Sequence, residues 1–460
     1  MVGEWKNCRL ADVAKIQGGF AFKSKDFVES GVAVVKIKNV RKRNIDLSEV
    51  DCVSVDLAKK CSNFYVREGD VLISMTGSGI NAPASIVGRV ARHTGDNRDF
   101  LINQRVGRFV VCNDEKLDLR YLYYFFSRSA IQNLLVSIAT GSANQVNISG
   151  KQIESVEIPL PPIKDQKAIA HILGSLDDKI ELNRQMNTTL EAMAQALFKS
   201  WFVDFDPVID KALAAGNPIS EPLRKRAEAR QALGDKRKPL PADVARHFPD
   251  RFVFNEEMGW VPEGWEVGKF ADIARHVRSS VKADEVEGYD FYVGLEHIGK
   301  KNLFLYNNGS GASVSSNKSG FEEGDLLFGK LRPYFHKVCI APCQGICSTD
   351  ILVLRAKSSS LHSYMMLTAF TEKFVDYANL RSTGTRMPRA NVKDMLEYAI
   401  TLPSKKILDS FDGSLAPMWK KGMASVKNGQ NLATLRDTLL PKLLSGQLRI
   451  PDAEKIMNDA

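Results

Sequence analysis

The chain has 460 residues, a formal net charge of +9 and 44% hydrophobic residues, which suits two or three domains with sizeable cores. No apolar run reaches the roughly 18 residues of a membrane span, and the N-terminus, MVGEWKNCRL, is not a signal peptide. Seven cysteines, an odd number without framework spacing, fit a reducing cytoplasm. The positive surplus points toward a polyanion partner and is uneven: residues 1–150 carry 21 Lys and Arg against 15 Asp and Glu, whereas 261–402 carry 17 against 16.

Residues 1–162 alternate short β-rich runs with turn residues, at 32–37, 71–75, 86–90 and 106–111, and predict a mixed α/β or mainly β domain. Lys36, Lys38, Arg41, Lys42 and Arg43 follow the first of these runs. They read as a basic edge that is either a solvated face or a phosphate contact. Thr76 and Ser78 in MTGSG, then Asn103, Gln104 and Arg105, supply the hydroxyls, amides and guanidinium that read base edges. Asn144, Gln145 and Asn147 in TGSANQVN add amides between turns. Tyr121, Tyr123, Tyr124, Phe125 and Phe126 lie in a helix-like segment and are better explained as core than as a stacking platform.

From Ile169, alternate steps of four and three residues reach Leu173, Leu176, Ile180, Asn183, Asn187, Leu190, Ala194, Leu197 and Trp201, the seam of a coiled coil. The period predicts a helix over 163–202, about 58 Å long at 1.5 Å per residue. Asn183 and Asn187 sit in mid-seam, where polar side chains fix register. Residues 203–260 read as a linker, with ten basic and ten acidic residues, several prolines and little periodicity beyond 223–233. There EPLRKRAEARQALGDKRKP contains a charged helix that reads as a solvated connector rather than a DNA contact. WVPEGW at 260–265 then restarts the domain plan.

The second domain, 261–403, keeps the Glu-Gly-Asp turn of the first but surrounds it differently. Lys330, Arg332, Tyr334, His336 and Lys337 stand where the first copy has SMTGSG, Ser348 and Thr349 replace part of NQRVG, and Arg386 and Arg389 occupy the last loop. Cys339, Cys343 and Cys347 recur every four residues but lack a matching His or Cys pair, which argues against zinc. A second long helix is expected over 404–446, kinked or starting late because it carries Gly413, Pro417, Gly422 and Gly429, with a tail at 447–460.

These parts repeat. Leu190, Leu197 and Trp201 correspond to Leu432, Leu439 and Leu443 at a constant offset of 242; VEIPLPP (156–162) answers YAITLPS (398–404), and ATGSANQVNI (139–148) answers STGTRMPRANV (382–392). REGDVLISMTGSG (67–79) answers EEGDLLFGKLRP (322–333), and WKNCRLADVA (5–14) answers WEVGKFADIA (265–274). The fold class expected is α+β, with two mixed α/β domains separated by two long antiparallel helices in a pseudo-twofold repeat.

No catalytic motif emerges. A methyltransferase acting on a flipped base needs an Asp/Asn-Pro-Pro-aromatic element, and the nearest string, Asp206-Pro207-Val208-Ile209, lacks the second proline and the aromatic. Neither Thr76–Gly79 nor Gly150-Lys151 has a nucleotide-loop spacing.

Along nearly its whole length the chain resembles the specificity (S) subunit of type I restriction–modification enzymes. The features that carry this are the duplicated plan, LPPIKDQKAIAHILGSLDDKIELN opening the first helix, ALFKSWFVDFDP closing it, GWVPEGW (259–265) and LRDTLLPKLLSGQL (435–448). The resemblance implies two target-recognition domains, each reading one half of a split site in double-stranded DNA, held apart by the helices. It also implies docking of two modification (methyltransferase) subunits, which bring S-adenosylmethionine, and of restriction subunits; the chain itself would bind no cofactor or metal. A 58 Å strut corresponds to about 17 base pairs of B-DNA. Ile172, Met193 and Phe198, outside the seam, together with Leu435 and Leu440, are the expected partner-binding residues. The competing readings are a DNA-targeting part of a free-standing restriction or modification enzyme and a non-DNA structural adaptor.

Overall fold

The computed structural model describes residues 5–79, 86–95, 99–142, 145–237, 239–384 and 386–458. It divides into two compact units, Met1–Lys179 with Asn431–Ala460, and Ile180–Gln430. Each mixes helix and sheet, and among the described residues no helix is long and apolar enough to cross a membrane.

In the first unit the main sheet is antiparallel, with strands Ala14–Gly18, Val106–Val111, Val71–Ser74 and Val90–Arg92 in that order. Valine and isoleucine suit a pleated surface, and Val71, Leu72 and Ile73 are fully buried. A second sheet orders Phe27–Val28, Asp51–Val53, Val32–Val35 and Phe100–Ile102, its last pair parallel. The expected strand at 86–90 forms later, at Val90–Arg92. Val87 and Gly88 are instead a turn, in which Gly88 takes φ +72° and donates its N–H to the Ser74 carbonyl at 2.9 Å.

Leu119–Phe126 has apolar residues on every face, and Tyr121 to Phe126 are all buried, as core rather than stacking platform. Asp118 caps it by accepting the Tyr121 N–H at 2.8 Å. This helix lies along the first long helix, Ile163–Phe198: the Tyr124 hydroxyl donates to Asp177 at 2.7 Å, and the Gln166 side chain joins the Asp118 N–H and the Lys116 carbonyl. Burial among these groups pushes the Asp177 carboxyl above the usual carboxylate range. Within this unit the second long helix, Lys405–Leu444, supplies Arg436 as the ion-pair partner of Asp177.

The second unit repeats the plan. Its main sheet runs Ala274–His276, Ile351–Ala356, Leu326–Gly329, Val338–Ile340, the same order with the same antiparallel sense. Its second sheet again contains a parallel pair, Tyr292–Val293 with Gly345–Cys347. The two-stranded pair Asn7–Arg9 with Glu157–Pro159 in the first unit is matched by Glu266–Lys269 with Ala399–Leu402 in the second. Here the long helices meet antiparallel: Asn183 Nδ2 donates to Asn428 Oδ1 at 2.8 Å, and Asn187 Nδ2 to the Gly422 carbonyl at 3.2 Å. A Cβ at Gly422 would fall 2.2 Å from the Phe304 ring, so only glycine admits that ring.

Three expectations change. Residues 203–260 are not a bare linker: they hold helices Asp206–Ala215, Glu221–Ala232 and Ala242–Ala245 and the hairpin Phe252–Asn255 with Gly259–Pro262. Phe205, Val208 and Phe248 bury there beside Trp201 and Trp265. Their charges pair across 20 residues, Arg226 with Asp206 through two 2.7 Å bonds and Arg230 with Asp210, a spacing that leaves no periodic trace. The second long helix does not begin late. It is assigned as α-helix throughout Lys405–Leu444, Pro417 included, because Phe411, Leu415, Trp419, Val426, Leu432, Leu439 and Leu443 bury a stripe that outweighs the roughly 3 kcal/mol a helical proline costs. The tail contains a helix, Ile450–Asn458, anchored by fully buried Ala453.

Candidate nucleic-acid interface

The three loops singled out in the first domain converge on one point. Met75 donates its N–H to the Arg105 carbonyl and accepts from the Ile148 N–H, both at 2.9 Å. Thr76–Gly77 pairs with Gln145–Asn147, which pairs in turn with Thr140–Ser142. This backbone brings together three side chains: Asn147 Oδ1 accepts from the buried Thr76 hydroxyl at 2.7 Å and from Arg105 Nη1 at 3.1 Å. Gln104, Arg105 and Gln145 are exposed around them, with Asn103 and Ser78 half-buried alongside. Asn144 lies outside the described residues.

The second unit builds the same point. Lys330 donates its N–H to the Asp350 carbonyl and accepts from Ala390, again both at 2.9 Å. Leu331 bridges Arg389, which bridges Thr383, reproducing the Thr76, Asn147, Thr140 register. At the matching place Arg389 Nε meets Asp350 Oδ1 at 3.3 Å. The first unit has Arg on the sheet-strand loop and its acceptor on the last loop; the second reverses them. Thr349, Tyr334 and Arg386 are exposed and Lys330 half-buried. The Ser348 N–H is bonded to the Val293 carbonyl, and its hydroxyl lies 3.3 Å from the Asp350 N–H.

Asp350 was not among the candidates. Matching NQRVG to CSTDI as strings obscures it, but the strands beginning at Val106 and Ile351 set Arg105 opposite Asp350.

Several predicted residues have other tasks. Arg43, with φ +69°, is largely buried and pairs with Asp437 of the second long helix at 2.9 Å; it ties the basic turn to that helix rather than facing solvent. Its Nε and Nη1 are buried without hydrogen-bond partners. Lys36 holds Asp51 at 2.9 Å, keeping that carboxyl below the usual range, and sits 3.8 Å from the Phe27 ring. Lys38 approaches Asp51 at 3.9 Å and Arg41 approaches Asp46 at 3.4 Å, both exposed, while Lys42 is exposed as well. His336 is buried, its Nε2 3.0 Å from the Phe370 carbonyl, and burial pushes its pKa down; it is a neutral core imidazole, not a DNA contact. Lys337 donates to the Leu295 carbonyl, and burial lowers its pKa. Arg332 takes the left-handed conformation at φ +51°, with its N–H on the Pro388 carbonyl at 2.7 Å.

The expected partner surface also changes. Ile172 and Leu440 are buried within the first unit and Phe198 within the second, so they are not exposed faces. Leu119–Phe126 lies along the first long helix, and Phe198 stacks with Tyr364, Phe202 and Phe411. Met193 is 50% exposed and Leu435 half-buried. The cysteines are free thiols, with Cys339 and Cys347 buried in strands, and among the described residues no group of His, Cys, Asp and Glu could hold a metal ion.

A family model for the type I restriction modification DNA specificity domain matches residues 3–192. The type I restriction enzyme MjaIX specificity subunit of Methanocaldococcus jannaschii is 25% identical over 456 residues, covering 98% of this chain and 94% of the relative. The HindI specificity subunit of Haemophilus influenzae is 27% identical over 337 residues, 65% of this chain and 71% of its own. In fold, the crystal structure of the type I restriction-modification S subunit from M. genitalium aligns with a TM-score of 0.50 at 15% identity, covering 95% of this chain and 96% of that one.

Proposed function

We propose that the chain is a specificity subunit of a type I restriction–modification system and that it reads an asymmetric, two-part DNA site through the loop cluster of each unit. The observation that carries this is the repeated three-loop point: one backbone register, used twice, with different polar side chains. Such a pair of frames suits two unlike half-sites. Exposed Lys38, Arg41 and Lys42 would contact phosphate beside the first cluster, positioning it without carrying sequence information.

The long helices, paired as an antiparallel coiled coil, would set the distance between half-sites. At 1.5 Å per residue the 36 residues of Ile163–Phe198 rise about 54 Å. Exposed parts of the same helices, Met193 among them, would dock two modification subunits. S-adenosylmethionine and the methylation chemistry belong to those subunits, cleavage to restriction subunits, and the assembly works in the cytoplasm where the DNA is.

The test is to express the chain with its modification subunit and sequence methylated adenines in the host DNA. A single motif of two defined blocks separated by unspecified bases is the expected result. Scattered methylation without a motif would defeat the reading. Charge introduced on the exposed helix face, as in Met193→Glu, should reduce co-purification of the modification subunit while DNA-reading loops stay folded; unchanged co-purification would move the docking surface elsewhere.

A further inference from the structure

The two copies of the three-loop point differ in a property that major-groove recognition reads, the direction of hydrogen bonding. In the first unit the amide orientation of Asn147 is settled by its neighbour. A guanidinium can only donate, so the Asn147 atom 3.1 Å from Arg105 Nη1 is the oxygen, and the Thr76 hydroxyl at 2.7 Å donates to that same oxygen. With Oδ1 accepting two bonds, what the amide has left to offer is the Nδ2 donor. Arg105, exposed, adds its remaining N–H groups. The cluster therefore presents donors.

In the second unit Asp350 stands where Arg105 stands, and Arg389 where Asn147 stands. Asp350 gives one oxygen to Arg389 Nε at 3.3 Å, and a carboxylate has a second oxygen with lone pairs to spare. Position 331 is leucine, so the hydroxyl that locks the first copy has no equivalent there. Asp350 therefore presents an acceptor where Arg105 presents donors, with the remaining N–H groups of exposed Arg389 beside it in the place of the Asn147 amide.

In the major groove guanine and thymine carry a carbonyl, O6 or O4, where adenine and cytosine carry an amino group, N6 or N4. Donors match the former and repel the latter; a carboxylate does the reverse. We infer that the Arg105–Asn147 pair selects a keto base, guanine or thymine, at one position of its half-site, and that the Asp350–Arg389 pair selects an amino base, adenine or cytosine, at the corresponding position of the other. The inference rests on the DNA-reading function proposed above and assigns specificity to four residues within it.

The experiment uses the full chain assembled with its modification subunit, read by methylated-adenine sequencing and by competition binding of the purified complex to duplexes substituted at single positions. Arg105→Ala, a change on an exposed side chain, should reduce the preference for a keto base at one position of one half-site by about 5- to 150-fold, the range expected for a lost bidentate contact, with the other half-site unchanged. The double variant Asp350→Arg with Arg389→Asn transplants the first pair into the second unit. It should turn a preference for A or C into one for G or T at one position of the other half-site. Unchanged motifs in both variants, or equal weakening on every sequence, would overturn the inference and reassign these groups to phosphate or to structure. Should the double variant not assemble, Arg105→Ala and Asp350→Asn decide the matter separately in each half. A wild-type complex without any two-block motif would instead defeat the underlying function, so the two failures are distinguishable.

Discussion

The first unit closes its three-loop point with Thr76, Arg105 and Asn147; the second uses Leu331, Asp350 and Arg389 on the same backbone hydrogen bonds. The main sheets have one strand order and the outer two-stranded pairs one pairing, yet the second sheets diverge. In the first unit the hairpin strand Asp51–Val53 pairs with Val32–Val35, whereas in the second Lys318–Phe321 pairs with Gly345–Cys347. The difference teaches that the frame is held by main-chain bonds, which tolerate any side chain, so the side chains at the point can change sign without moving it. The same division of labour governs how each unit grips the long helices. The first uses charge, Arg436 on Asp177 and Arg43 on Asp437, and the second uses amides and one buried carboxylate, Asn183, Asn187 and Glu191.

That contrast can be broken most forcefully in the first unit. Arg436→Ala leaves the half-buried Asp177 without its cation, and about 3 kcal/mol of stability should be lost, with hydrogen exchange rising first in 163–179 and 431–444. A loss near zero in urea titration would make the pair a surface ornament. Next comes the Glu-Gly-Asp turn that both units share. Asp325 is almost fully buried and bidentate to Arg355 at 2.6 and 2.7 Å, while Asp70 meets Arg108 at 3.0 Å and is partly exposed. Arg355→Ala should therefore cost about 3 kcal/mol and Arg108→Ala about 1–2 kcal/mol. The opposite ranking in denaturation would show that burial does not decide these pairs.

Glu191 sharpens the comparison through pH. Burial pushes its carboxyl up to about 7, against hydrogen bonds from the Leu303 N–H at 2.9 Å and from Gln195 that favour the ionised form. An acid whose folded pKa is raised holds its proton in the folded state over a range where the unfolded chain has released it. Its contribution is thus complete below about 4.5 and fades as pH rises to about 7, by roughly 3 kcal/mol. Glu191→Gln should flatten that slope; a slope unchanged in the variant would assign it to other groups. The smallest effect expected is at Asn183, where Ala removes one interhelical bond and about 1 kcal/mol, against a larger gain if leucine there allows the helices to pair without fixed register.

Much of this architecture could be read before any coordinates. Steps of four and three residues picked out Ile169, Leu173, Leu176, Ala194 and Trp201, all of them buried, and the 242-residue offset anticipated strands that recur in the same order. What was not legible was the assignment of individual charges. Arg43, His336 and Lys337 have the composition of a DNA-binding loop, yet the first ties down a helix, the second is buried, and the third is half-buried with its amine on a backbone carbonyl. The segment 203–260 read as a linker with one charged helix because Asp206 with Arg226 and Asp210 with Arg230 find each other across 20 residues.

Sequence alone determined where the long helices lie and that the chain is built twice, because helical periodicity and repetition are local properties of the order of residues. Only the tertiary structure decided which arginines face outward, that Asp350 occupies the place of Arg105, and that Ile172, Phe198 and Leu440 are covered by their own chain. The physical reason is that burial and the partner of a charge are set by segments distant in sequence, brought together by backbone hydrogen bonds that no side-chain pattern records.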